Sequence, residues 1–530
     1  MVAGPRWGFA SRGRHWTVAP GDVAGELRRW EDSHPRWVVW GAAGTRLVER
    51  GLRPRASWDL GAVHRVLHGG RRDDPAAVWA AAHGLAVPAP PGEDLALLDS
   101  AGVAVDGDPA EPVRLDGTLH PEWAAQRGTD PGRWAALALV VQELQQRDLS
   151  ALPDPRSDAT GPPLRLLTGW AESAAAVLAT ELEDDGLPFT RTEAERLLGP
   201  RPVDLFADRS DRDAAVLALL PHPVDLRNPE QVRAALLRKG IDVPDTRSWR
   251  LEPYRRAHPL VDALLSWRKA ERLATTYGWS WLDGHVGADG RLRGHWSASD
   301  GGAGRMTASA GLHNLPTVLR SAVVAEPGRV LVRADLGQIE PRVLAAVAGD
   351  GSLATAARED DLYTPVARRL GCDRPTAKVA VLAAMYGATT GAAGQALQQM
   401  EQVYPTALAF LRAAEESGRT GVDVRTHGGR RVLVGPGGAG RYARNAVVQG
   451  AAAELFKVWA ATVRSRVPAG SIVLCLHDEL LLQVDADAAP ATVPLLHDAL
   501  AAAAGHWAAG SGVRFVADVS VVARWSDAKA

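Results

Sequence analysis

The chain has 530 residues, 60 Lys and Arg against 62 Asp and Glu, a formal net charge of -2 and a sequence pI near 6.7. That length calls for about two to four domains, and the near-neutral balance argues against a protein that coats nucleic acid by bulk charge. No run of about 20 apolar residues offers a membrane span, no apolar signal core follows the first arginines, and two cysteines, Cys372 and Cys475, exclude a disulfide framework and fit a reducing, cytoplasmic compartment.

In chain order, the apolar run Trp37-Val38-Val39-Trp40 comes first, then a helix after Trp58-Asp59-Leu60. Residues 88–92 (Pro-Ala-Pro-Pro-Gly) read as a turn or linker. A helix over 131–149 follows, and the Pro-, Asp- and Ser-rich stretch 153–163 reads as a domain boundary. Residues 164–185 form a long helical pattern stopped by Gly186 and Pro188. A second helix fits 228–239, with Pro229 in its first turn and Gly240 after its end.

Residues 259–277 alternate Leu260, Val261, Leu264, Leu265, Trp267 and Leu273 with Arg268, Lys269 and Arg272. This is an amphipathic helix with a basic face, and on its own that face reads equally well as solvated surface. Val330-Leu331-Val332 is a short buried-type strand leading to Asp335. Residues 373–385 predict a helix with Pro375 in the first turn and Gly387 past the end, and 444–459 predict another. Residues 472–476 and 480–484 are apolar runs joined by His477-Asp478-Glu479, a β-hairpin pattern with an acidic turn. No internal repeat is present.

Three distant segments carry chemistry. Transfer of a nucleotidyl group needs two cations about 4 Å apart, so carboxylates must converge from different elements. Asp335, just past a strand end, and Asp478, in a hairpin turn, suit that demand. Magnesium keeps waters and substrate phosphates in its shell, so two aspartates can suffice. An isolated acidic turn is more often merely solvated than catalytic. The helix from Arg374 adds a separate signal. Arg374, Lys378, Leu382 and Tyr386 recur every four residues along one face, with both cations near the positive N-terminal end, which suits a triphosphate. Surface cations and a core Tyr are the plain alternative.

Taken together, these segments resemble the motifs of family A DNA polymerases, the DNA polymerase I class. Asp335 to Arg342 resembles the first motif, usually Asp-Tyr-Ser-Gln-Ile-Glu-Leu-Arg. Arg374, Lys378, Tyr386 and Gly387 resemble the second, and His477-Asp478-Glu479 the third. Upstream, Gly304-Arg305-Met306-Thr307 and Leu312-His313-Asn314-Leu315-Pro316 resemble Gly-Arg-Leu-Ser and Leu-Gln-Asn-Ile-Pro. Arg441, Asn445, Gln449 and Gly450 fit Arg-x3-Asn-x3-Gln-Gly, and 258–277 resembles a thumb helix. The resemblance covers about residues 165–525. The arrangement, with its short N-terminal part, is most similar to short actinobacterial members described as bifunctional exonuclease and polymerase.

The resemblance implies an α+β right hand: N-terminal polymerase helices and thumb over 164–304, palm over 305–344 and 436–530, and fingers over 345–435. It implies template-directed DNA synthesis from a primer 3′-hydroxyl, in repair or replication. Primer-template DNA and deoxynucleoside triphosphates would be the partners. The cofactor would be two Mg²⁺ ions, which Mn²⁺ can replace, held by Asp335, Asp478 and the Leu336 carbonyl. Asp335, Asp478 and Glu479 would be catalytic. Arg374, Lys378, Leu382, Tyr386, Gln338, Glu340 and Tyr363 would face the nucleotide, with Glu340, held by Tyr386, filling the space of a ribose 2′-hydroxyl. Arg305, Asn314, Arg441, Asn445, Gln449 and His477 would contact DNA, mostly through backbone and minor-groove atoms.

The chain departs from the family pattern at several positions. Leu336-Gly337 replaces Tyr-Ser, Pro341 replaces Leu, Leu382 replaces a common Phe, Tyr363 stands for a phosphate-contacting His, and His313 replaces Gln. Residues 1–155 read as a degenerate exonuclease-like, RNase H-like domain. An exonuclease needs its own acids, opening with Asp-x-Glu, whereas this chain reads Trp40-Gly41-Ala42-Ala43 there and keeps only Asp59. The remaining expectations are a monomer, no membrane contact and a cytoplasmic, nucleoid-associated location. Three rivals stand beside this reading: a ribonucleotide-using polymerase, against which Glu340 speaks; a weak or inactive DNA-binding homologue, against which the intact charges speak; and an N-terminal nuclease.

Overall fold

The computed structural model describes residues 6–40, 43–88, 108, 110–125, 130–158, 161–202, 205–387, 392–435 and 437–528. Its N-terminal part opens with an antiparallel hairpin, β1 (Trp7–Ser11) and β2 (Arg14–Val18), followed by helix α1 (Val23–Glu31). The run Trp37–Trp40 lies largely in β3 (Arg36–Val39), which pairs in parallel with β4 (Ala56–Asp59). Helices α2 (Leu60–His68) and α3 (Pro131–Ala151) cover these strands. Trp40, Trp58, Trp123 and Trp134 fill the core there, each less than 4 % exposed. Of the predicted turn at 88–92, only Pro88 falls among the described residues.

Helix α4 (Leu164–Asp185) has the predicted bounds and ends at Gly186, whose φ of 68° is the left-handed stop that glycine adopts without strain. It packs on β4 and α2 on one side and on the later long helix over 440–464 on the other. Within the strip read as a domain boundary, Asp154 and Arg156 are held in place. Arg156, buried, pairs with Asp154 at 2.6 Å and donates to the His506 carbonyl at 2.7 Å. Helix α5 (Pro259–Thr276) packs in a small separate core with Val216, Val232 and Leu236. Two of its three predicted surface cations serve the fold, because Arg268 donates to the Thr246 carbonyl and Arg272 to the Asn314 carbonyl at 2.7 Å. Lys269 is exposed.

The central sheet has β5 (Arg329–Leu336), β6 (Ile472–Cys475), β7 (Glu479–Asp485) and β8 (Ala517–Val522), antiparallel throughout, in the order β6-β7-β5-β8. Leu331, Val332, Leu481 and Leu482 are wholly buried in it. Asp335 lies inside β5 rather than past its end. Pairing with β8 runs on to Leu336, so cross-strand hydrogen bonds carry the strand beyond its apolar stretch. Helices α6 (Ile339–Ala348), α7 (Arg374–Tyr386), α8 (Gly440–Arg464) and α9 (Ala489–Trp507) complete this part.

Helix α8 outruns its predicted limits of 444–459 because it is buried nearly all round, so its polar residues are paired inside instead of marking its ends. Lys457 donates to both oxygens of Glu172 at 2.7 and 2.8 Å and to the Gly304 carbonyl at 2.6 Å, which anchors the strand beginning at Arg305. Among the described residues, no helix is long and apolar enough to cross a membrane.

Candidate active site

Strand register brings the acids together. Asp335 stands opposite Glu479 on β7 and opposite Asp518 on β8. The Leu336 N–H donates to the Asp478 carbonyl at 2.7 Å, so Asp478 sits at the mouth of the hairpin beside the end of β5. Burial pushes the Asp478 carboxyl up to about 6, helped by the charges of Asp335, Glu479 and Glu340, and burial also raises Asp335. Glu479 is held by two partners. It is 4 % exposed, one oxygen accepts from the Trp525 indole at 2.7 Å, and the other lies 2.9 Å from Arg333. The same Arg333 nitrogen is 2.7 Å from Asp335. Glu479 therefore reaches the site as a support under Asp335, shared through one guanidinium. Among the described residues no three His, Cys, Asp or Glu side chains form a metal cage. A pair of aspartates leaves the rest of a magnesium shell to water and phosphate.

Next to Asp478 is a cavity of about 260 Å³, lined by Arg305, Gln338, Glu340, Tyr386, Gln449 and His477 as well as Asp478. These seven residues come from five distant stretches, and each is a predicted site residue. The expected Tyr386–Glu340 contact is present: the phenol donates to Glu340 at 2.8 Å. Burial and the Glu340 charge push the Tyr386 phenol up to about 12, so it stays a donor. His477 packs against His313, ring centroids 5.0 Å apart, and burial lowers both; His313 falls to about 4. His313 also accepts from the Ala308 N–H at 2.8 Å, which ties it to the strand of Arg305.

Gln338 is the N-cap of α6 in the left-handed region, φ 56°, an uncommon conformation for a side chain of this kind. Its amide is held at both ends, donating to Asp361 at 2.6 Å and accepting from the Leu362 N–H at 2.8 Å. Arg374, at the start of α7, forms a two-point pair with Asp361 at 2.9 and 2.8 Å. These bonds hold the Asp361 carboxyl well below the usual range, with Thr364 and Gln338 adding theirs. Arg342, fully buried, donates to the carbonyls of Gly337, Ala357, Glu359, Asp360 and Arg514, and so fixes the loop that carries Asp361. Pro341 is harmless where it stands, in the first turn of α6.

The other predicted residues fall around this centre. Lys378 is exposed one turn beyond Arg374. Leu382 is partly buried against the main core. Tyr363 is 5 % exposed, with the Arg374 guanidinium 5.6 Å above its ring, so it lies beneath that arginine. Arg441, Asn445 and Gln449 share one face of α8, Arg441 exposed and Asn445 half-buried with its carbonyl oxygen unpaired. Asn314 is exposed. Motif reading missed Arg333, Asp361, Asp518 and Trp525. Alternation along β5 could have placed Arg333 on the face of Asp335; the others depend on contacts between distant segments.

A family model described as DNA polymerase family A matches residues 212–527. A thermostable DNA polymerase I of Thermus filiformis is 30% identical over 358 residues, 57% of this chain and 42% of the relative. DNA polymerase I of Mycobacterium bovis is 27% identical over 429 residues, 66% of this chain and 47% of the relative. The chain thus spans less than half the length of these curated relatives. Among solved structures, the POL domain of Pol1 from M. smegmatis, in complex with DNA primer-template and dNTP, aligns over 98% of this chain and 92% of that one. The TM-score is 0.68 at 20% sequence identity, a likeness of fold, so the α+β right hand expected from the motifs is the architecture of the chain.

Proposed function

Because the chain belongs to DNA polymerase family A, we propose that it adds deoxynucleotides to a primer 3′-hydroxyl under the direction of a template. The observation that supports this most is the cavity beside Asp478, where charge, hydrogen-bond donors and a steric acid meet from five separate stretches. Burial and then the crowding of carboxylates raise Asp478, and a divalent cation fits there because it relieves that repulsion. Asp335, Asp478 and the Leu336 carbonyl would hold Mg²⁺, or Mn²⁺ in its place. When bound, such ions activate the attacking hydroxyl and stabilise the leaving pyrophosphate.

The chain's own residues do the positioning. Arg374 and Lys378 receive the triphosphate at the N-terminal end of α7, and Arg374 exchanges Asp361 for phosphate as it does so. Glu340, held by Tyr386, denies space to a 2′-hydroxyl. Arg333 keeps Asp335 and Glu479 in register. Arg305, Asn314, Arg441, Asn445, Gln449 and His477 line the path of primer and template. The division into N-terminal polymerase helices and thumb (164–304), palm (305–344 and 436–530) and fingers (345–435) belongs to this reading. So does a first domain, 1–155, of degenerate exonuclease type that does not cleave.

Extension of a 5′-labelled primer on a template, with and without deoxynucleotides, tests the proposal. Template-dependent lengthening supports it. Shortening without nucleotides would point to a nuclease. An unchanged primer despite measurable primer-template binding would point to a scaffold.

A further inference from the structure

A second cavity, of about 680 Å³, opens in the N-terminal part between the β1–β2 hairpin, α1, the start of β3 and α3. None of its lining residues belongs to the site above, so it stands independently of the polymerase reading. Its size falls within the range of about 300–1,000 Å³ that small-molecule sites occupy.

Trp16, Trp30 and Trp37 form its aromatic wall. Carboxylates fix their orientation: one Glu26 oxygen accepts from the indoles of Trp16 at 3.1 Å and Trp30 at 2.9 Å, and Glu31 accepts from Trp37 at 2.6 Å. Phe9 backs the wall, stacked on Trp16 with centroids 5.9 Å apart and edge-on to Trp37 at 6.3 Å. The exposed Arg14 guanidinium lies over Trp16 and Trp30, 5.2 and 5.8 Å from their ring centroids, so a flat ligand takes its place there on rings already held at little entropic cost.

Ala10, Pro35, Val38 and Leu139 add apolar lining, and the remainder is polar. Arg12 and Arg147 are exposed at the rim, Arg147 donating to Asp148 at 3.0 and 2.9 Å, and Glu143 lines the same side of α3. Gln142 donates to Gln146 at 2.7 Å, which leaves the pair a carbonyl acceptor on Gln142 and an amide donor on Gln146. A purely apolar ligand has no use for cations and amides, and a bare anion has none for three indoles. A flat heterocycle that carries a phosphate uses all of them.

We propose that this cavity binds a nucleotide unit. The base stacks on the indoles, the glutamine amides meet its edge, and Arg12 and Arg147 meet its phosphate. A free nucleotide and a nucleotide within a single strand share that chemistry. A duplex does not, because its bases are paired and stacked.

The test is photocrosslinking on the full chain without divalent cations. The probes are 5-iodo-deoxyuridine monophosphate and a short single-stranded oligodeoxynucleotide carrying one 5-iodouracil, with adducts mapped by mass spectrometry. Adducts are expected on the peptides containing Trp16, Trp30 or Trp37. They should fall about tenfold in an Arg12→Ala/Arg147→Ala double variant, whose changes are exposed and spare the fold. Adducts from both probes identify a mononucleotide site, and adducts from the oligonucleotide alone identify a single-strand site. Absence of adducts from these peptides, or adducts indifferent to the arginine changes, overturns the proposal. Adduct location, unlike extension, does not depend on whether the palm catalyses.

Discussion

Asp59 and Asp335 occupy similar places in two regions of the molecule, and they are put to different uses. Asp59 ends its strand, Asp335 stands one residue before the end of β5, and a helix follows each. In the N-terminal part Asp59 is itself the N-cap: its carboxylate accepts from the Ala62 N–H at 2.8 Å, so it is spent on starting α2. In the central sheet the cap position falls to Gln338, three residues further on. That spacing leaves the Asp335 oxygens beside Arg333, Glu479 and Asp518. In this chain an aspartate near a strand end is left to other partners where a later residue takes the cap position.

The sharpest way to break this comparison is to remove one acid from each region. Asp478→Ala should lower primer extension by about 10²–10³-fold or more, with primer-template affinity retained; extension at the wild-type rate would reject the palm assignment. Next in size is Arg333→Met, which leaves the buried Glu479 carboxylate without its cation. Urea unfolding should show a loss of about 3 kcal/mol, whereas a change below about 0.5 kcal/mol would mean the guanidinium holds nothing together.

Glu340→Ala should raise incorporation of ribonucleotides relative to deoxynucleotides by about 10–100-fold, the scale of one lost steric contact. An unchanged ratio in competition assays would remove Glu340 from substrate choice. Acid should weaken both regions. His64 in the N-terminal part and His427 against α9 are each lowered by burial to about 4. Between that value and the unfolded one near 6.5, the unfolded chain binds more protons, so stability falls as pH drops through this window. Denaturant titrations at pH 7 and pH 5 should differ by on the order of 1–2 kcal/mol for each histidine, and His427→Phe should remove its share. The smallest effect belongs to Asp59→Ala, which should cost about 1 kcal/mol of stability through the lost cap while extension stays within about twofold.

Much of this was legible from local patterns. The bounds of α4 and α7 follow from Gly186 and from Pro375 and Gly387, because helix stops and first-turn prolines act within a few residues. The four-residue spacing of Arg374, Lys378, Leu382 and Tyr386 likewise survives as one face of α7. Less was legible where partners lie far away in the chain. Arg156, in the boundary strip at 153–163, is held by a carbonyl from α9, and α8 hides its charges against α4 and the loop ahead of Arg305. Tyr363 is the counterpart of a phosphate-contacting His in the motif, and it is buried in the main core with Arg374 over its ring.

By itself, the amino-acid order determined which chemical groups are available and on which element each rides, since spacing along a helix or strand is a local property. Only the tertiary structure decided which carboxylates face one another, which are consumed as caps, and which cation lies between them. Those outcomes depend on sheet register and on burial, and both are set by contacts between segments more than a hundred residues apart.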